Sequence, residues 1–164
     1  MAGPASYHPQ VPYVGNLPGG LTSKKTVVVK GFVPQNAKSF CINFKTGHSQ
    51  DIALHINPRL NEQKVVRNSF LKGQWGSEER ELSFNPFQPG QYFDVSKLLI
   101  VATKEYKVCG QHYYEFRHRL PPTHVRFLEV DGDVKLEIFK SGCLKFNFPR
   151  RYCDIPHRTY THVV

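Results

Sequence analysis

The chain has 164 residues, 40% of them hydrophobic and 13% aromatic, enough for one domain with its own core. Its 22 Lys and Arg against 13 Asp and Glu leave a formal charge of +9, but the charges are scattered rather than run together. Scattered charge with neither a recognition helix nor an RNA-binding signature excludes nucleic acid as the expected partner.

The four cysteines, Cys41, Cys109, Cys143 and Cys153, include no Cys-x-x-Cys pair. That spacing predicts neither a zinc site nor a disulfide framework, but thiols in a reducing compartment. The first residues carry no apolar signal core, and no stretch approaches membrane-spanning length. Neither secretory processing nor membrane insertion is expected.

Taken in order, residues 1–10 hold Gly3, Pro4 and Pro9 and read as a loose arm. Val11 to Val14 reads as an edge strand, since edges tolerate a proline such as Pro12. Residues 26–33 form a buried strand bending at Pro34, and 39–44 alternate with Phe40, Ile42 and Phe44 on one side. Residues 51–59 and 65–70 are a strand and its return, followed by a turn at Lys72 and Gly73 before Trp75. Further strands are predicted at 93–101, 106–108 and 113–116, with a turn at Gly110 and Gln111. Residues 125–130 and 134–138 flank Asp131, Gly132 and Asp133, and that pattern predicts a hairpin with Asp-Gly at its tip. No stretch keeps a helical period. Roughly ten to twelve short strands argue for an all-β sandwich or jelly roll. From residue 146 to 164 alternation gives way to prolines and basic residues, the mark of a tail.

The chemistry concentrates between residues 55 and 80. On a strand, His55, Asn57 and Arg59 share one face while Ile56 and Pro58 turn away. Asn68 follows, then the single tryptophan of the chain, Trp75, then Glu78 and Arg80. Fixed forks of donors and acceptors suit hydroxyl groups, and an indole plate suits the C–H face of a pyranose ring. Glu78 lies two residues from Arg80, close enough for an ion pair that holds the carboxylate; a second link to Arg59 would join the two segments. Glu78 and Glu79 point to opposite faces of an extended chain, so they cannot flank one glycosidic bond as hydrolysis requires. His112, His118 and His124 fit no common metal-ligand spacing.

These residues, in this order, resemble the galectin carbohydrate-recognition signature. The likeness extends over roughly 11–140, within a domain expected at 11–145, and includes Val11 to Tyr13, residues 39–44, Asn85 to Phe87, Gly110 to His112, His118 and Arg119, and Gly132 to Val134. It is most like the C-terminal domain of a tandem-repeat galectin. The resemblance implies a jelly-roll β-sandwich of two antiparallel sheets, binding β-galactosides of lactose or N-acetyllactosamine type on its concave face. His55, Asn57 and Arg59 would take the axial 4-hydroxyl of galactose, and Asn68 and Glu78 the 6-hydroxyl. Trp75 would stack beneath the ring. Arg59, Glu78 and Arg80 would reach the 3-hydroxyl of the adjoining sugar. It further implies no metal, no cofactor and no catalysis. The partners would be glycoproteins and glycolipids, with homodimer formation as one route to multivalency. Synthesis would be cytosolic, with export by a non-classical route. Two departures stand out: residues 107–110 lack the asparagine the family places in that hairpin, and residues 146–164 have no family counterpart. The competing reading is a galectin-like structural or interaction module in which sugar is incidental.

Overall fold

Alternation does most of the work. Each strand sends every second side chain inward, so apolar faces from two sheets close on one another. The computed structural model describes residues 2–22, 25–81, 85–101, 105–108 and 115–143. In chain order the strands are β1 (Ala2–Tyr7), β2 (Tyr13–Asn16), β3 (Lys25–Val33), β4 (Phe40–Thr46), β5 (Ile52–Arg59) and β6 (Lys64–Leu71). They continue as β7 (Gln74–Trp75), β8 (Gln91–Val101), β9 (Glu105–Val108), β10 (Glu115–Arg117), β11 (Val125–Gly132) and β12 (Lys135–Cys143). One antiparallel sheet runs β1, β12, β3, β8, β9, β10 and the other β2, β11, β4, β5, β6, β7. The expected jelly-roll sandwich is what forms. Among the described residues, no helix is long and apolar enough to cross a membrane.

Between the sheets, Phe40, Ile42 and Phe44 of β4 and Leu54 and Ile56 of β5 are buried. They share one cluster with Val27, Val29 and Val33 of β3 and Leu136 and Phe139 of β12. Phe40 meets Phe87 edge-on at 5.3 Å and stacks on Phe93 at 5.7 Å. Burying each such side chain contributes about 1.5–3 kcal/mol. That is the force that decides which face of β4 and β5 looks outward.

Two expectations are corrected. Residues 1–10 are not all a loose arm: Ala2–Tyr7 pairs with β12, with Ser6 opposite Phe139 and Tyr7 opposite Ile138. Strand addition to a sheet edge needs only backbone donors and acceptors, so a segment without apolar alternation can still pair. Its register slips between Ala2 and Ala5, around Pro4, which has no N–H to give. The second correction concerns Asp131, Gly132 and Asp133. They do not tip a hairpin; β11 belongs to one sheet and β12 to the other, so the segment crosses between them. A two-residue type I′ turn needs positive φ at both central positions, and here Gly132 (φ 101°) has it without either aspartate. Asp133 is committed elsewhere, its carboxylate accepting from the backbone N–H of Lys38 at 2.9 Å and of Ser39 at 3.4 Å. The predicted tail at 146–164 and the turn at residues 110 and 111 lie outside the described residues.

The crossing leaves Gly132 no room: a Cβ there would lie 2.7 Å from Phe40 Cα, on a φ that L side chains rarely adopt. Gly132→Ala is therefore expected to lower stability by about 1–3 kcal/mol. Urea unfolding followed by tryptophan fluorescence checks this, and an unchanged midpoint would contradict it.

Candidate carbohydrate-binding site

Strand order places the polar residues side by side. Asn43 of β4 stands opposite His55 of β5, and His55 stands opposite Asn68 of β6. With Leu54, Ile56 and Pro58 buried, His55, Asn57 and Arg59 are turned to the outer face and are partly exposed. Lys72 (φ 52°) and Gly73 (φ 77°) supply the paired positive φ of a two-residue hairpin, and β7 returns with Trp75 opposite Phe70. The Trp75 ring lies 4.9 Å from His55 and 5.2 Å from Phe70, centroid to centroid, yet remains 52% exposed. It is a braced plate open on one side.

The backbone of the segment beyond Trp75 is tied to β6 by the Gly76 N–H donating to the Ser69 carbonyl at 3.0 Å and by a bridge between Arg67 and Glu79, with hydrogen bonds of 2.9 and 2.8 Å. Glu78 and Arg80 flank that bridge and pair with each other, Arg80 Nε donating to Glu78 Oε2 at 2.7 Å and Nη2 to the same oxygen. Arg59 Nη2 approaches the other carboxylate oxygen at 3.6 Å. From Arg59 the network continues inward: Nε donates to Asn57 Oδ1 at 2.9 Å, and Asn57 Nδ2 donates to the Phe40 carbonyl at 2.8 Å. The carboxylate of Glu79 goes to a different cation, Arg119, at 3.0 Å. The two adjacent glutamates thus serve different partners.

Asn68 is nearly buried, at 3% exposure. Its Oδ1 accepts from Arg119 Nη1 and from the Ser69 backbone N–H, both at 2.8 Å, and its Nδ2 donates to the Gly76 carbonyl at 2.9 Å. That hydrogen bond uses one of its two amide hydrogens. Arg119 also donates to the Ser77 carbonyl at 2.8 Å and lies 4.7 Å above the Phe116 ring. The sequence pattern marked Arg119 as framework; its part in seating Asn68 and the turn after Trp75 was not legible. Nor were those of Asn43 and Glu129, whose side chains meet at 3.1 Å beside His55. Alternation along β4 could have put Asn43 on the polar face, but nothing local points from there to β11.

Burial holds the His55 imidazole below the usual histidine range, and the Arg59 guanidinium pushes the same way against the opposing pull of Glu78. The hydrogen bond from Arg80 holds the Glu78 carboxyl below its ordinary range. At neutral pH the face therefore carries a neutral imidazole, one carboxylate and two guanidinium groups. Such a surface can offer fixed donors, fixed acceptors and an aromatic plate to a polyhydroxylated ring.

The sequence profile of the galactoside-binding lectins matches residues 12–140. The chain belongs to the galectin family. It is 52% identical over 139 residues to human galectin-4, covering 83% of this chain and 42% of that protein. With human galectin-7 it shares 44% identity over 131 residues, 77% of this chain and 94% of that one. Its structure is similar to that of a Caenorhabditis elegans galectin, LEC-6, with a TM-score of 0.72 at 28% identity, covering 84% of this chain and 95% of the other. The chain spans about two fifths of the length of the galectin-4 relatives it matches. The galectin likeness drawn from residues 55–80 holds, and the galectin relatives carry the same fold.

The lowered His55 value sets a sign. Above 6.5, the ordinary histidine value, the ring is neutral folded or unfolded. As pH falls below that, the unfolded chain takes up the proton first, so stability falls until the folded value is passed. A titration of the His55 ring protons by NMR is expected to show a midpoint below 6.5, with unfolding free energy dropping over the same interval. A midpoint at or above that value would contradict the assignment.

Proposed function

We propose that residues 11–145, with the Ala2–Tyr7 strand added at the edge, form a lectin domain for β-galactosides of lactose or N-acetyllactosamine type. Binding is non-covalent and uses neither metal nor catalysis. The observation that carries this reading is Trp75, half exposed and braced by His55 and Phe70 beside a fork of fixed polar groups. A large aromatic left open on a polar face suits a partner with an apolar ring face and hydroxyl edges.

In this reading galactose stacks on Trp75. His55, Asn57 and Arg59 take its axial 4-hydroxyl, and Asn68 and Glu78 its 6-hydroxyl. Arg59, Glu78 and Arg80 reach the 3-hydroxyl of the adjoining glucose or N-acetylglucosamine. The network supports these roles because each fork is already oriented: Asn57 by the Phe40 carbonyl, Arg59 by Asn57, Glu78 by Arg80. Preorganised groups lose little entropy on binding. Even so, a disaccharide of about two dozen non-hydrogen atoms at ~0.3 kcal/mol each has a ceiling near 7 kcal/mol, a Kd of order 10 μM. Firm attachment to glycoproteins and glycolipids then calls for multivalency, through a homodimer or clustered glycans. Cytosolic synthesis with non-classical export belongs to the same reading.

Trp75→Ala and Arg59→Ala are each expected to abolish retention on lactose-agarose and to weaken lactose binding by more than about tenfold. Circular dichroism should show the fold intact, since both side chains reach solvent. Undiminished retention of both variants would overturn the site.

A further inference from the structure

A hydrogen-bonded chain that starts outside the residues assigned to the sugar ends on His55: Glu129, Asn43, His55. We infer that Asn43 and Glu129 are positioning residues that hold His55 as its Nδ1-protonated tautomer, so that Nε2 presents a lone pair to the galactose hydroxyl. The inference deepens the lectin reading, and its second half rests on it.

Glu129 sits on β11, directly across from Asn43 in the register of β4 and β11. Its other carboxylate oxygen pairs with Lys45 Nζ at 3.4 Å, and a carboxylate has no hydrogen to donate. The end of the Asn43 amide that meets Glu129 Oε1 at 3.1 Å must therefore be Nδ2. The same nitrogen lies 3.5 Å from Cys41 Sγ, a weak acceptor for its other hydrogen. That leaves Asn43 Oδ1 facing His55 Nδ1 at 2.6 Å. An amide oxygen cannot donate, so Nδ1 must carry the proton. In a ring kept neutral by its partial burial, the second nitrogen is then an acceptor.

The consequence is selective. A lone pair at Nε2 wants a hydroxyl that donates, and the oxygen of that hydroxyl then keeps its own lone pairs for the Arg59 and Asn57 hydrogens. An ether or a fluorine in the same place can accept from Arg59 but has nothing to give Nε2. With the opposite tautomer, which free histidine favours in water, Nε2–H would oppose a donor and tolerate an acceptor. Asn43 and Glu129 thus act on specificity without touching sugar.

The test uses the full chain. Long-range proton–nitrogen correlation spectra of the unliganded protein at neutral pH should show His55 Nδ1 protonated and Nε2 bare. Asn43→Leu, which removes the acceptor facing Nδ1, should move the ring toward Nε2–H. Glu129→Ala, which leaves the fold's core untouched and frees the Asn43 amide to turn over, should give a mixture. Wild type should bind lactose roughly tenfold more tightly than its 4-deoxy-4-fluoro analogue, the scale of one hydrogen bond to a partly buried group, and the gap should narrow in both variants. Wild-type spectra showing Nε2–H, or variants that keep the Nδ1–H tautomer, would overturn the positioning role. Wild type that shows Nδ1–H but binds no lactose would instead overturn the β-galactoside reading, and with it the acceptor role of Nε2.

Discussion

The pairing of His55 with Asn68 across β5 and β6 places everything else on the outer face. Because side chains alternate with a period of two, a slip of one residue would turn His55, Asn57 and Arg59 into the core and carry Leu54, Ile56 and Pro58 into water. Burying the apolar set is worth several kcal/mol in total, at about 1.5–3 for a large side chain, whereas exposed ion pairs contribute less than about 1. The core therefore chooses the register, and the polar fork is placed as a result. Only then does the two-residue turn at Lys72 and Gly73 bring Trp75 level with His55.

The polar groups have a second function beyond presence. Asn57, Asn68 and Asn43 each have an amide whose two ends meet different partners, so none is free to turn over. Three amides locked by backbone carbonyls, two guanidinium groups, an imidazole and a carboxylate convert a flexible polar surface into one with assigned donors and acceptors. The ion pairs of Glu78 with Arg59 and Arg80 serve the same end. With the Glu78 side chain 37% exposed, their value lies in orientation more than in stability.

The glutamates at 78 and 79 show how backbone geometry divides chemistry. The Arg67 to Glu79 bridge turns one of them toward Arg119 and leaves its neighbour to Arg80 and Arg59. Arg119 in turn joins Glu79, Ser77 and Asn68, which seats the turn after Trp75 against the sheet edge. A cation distant in sequence thus orders the strand that carries the aromatic plate.

From residues 55–80 alone, the common face of His55, Asn57 and Arg59 was legible, because a strand's period is short and their spacing shows it directly. The all-β class was legible for the same reason. What needed the fold were relations between segments far apart in the chain. Asp131 and Gly132 carry a hairpin's local chemistry, yet Asp133 is claimed by Lys38 and Ser39, some ninety-five residues away, and the chain crosses sheets instead. Ala2–Tyr7 lacks alternation but pairs because β12 offers an edge. Asn43, Glu129 and Arg119 became visible only when β4, β11 and the residues after β10 were set beside His55 and Asn68. Local pattern decides which way a side chain points; only packing decides what it meets.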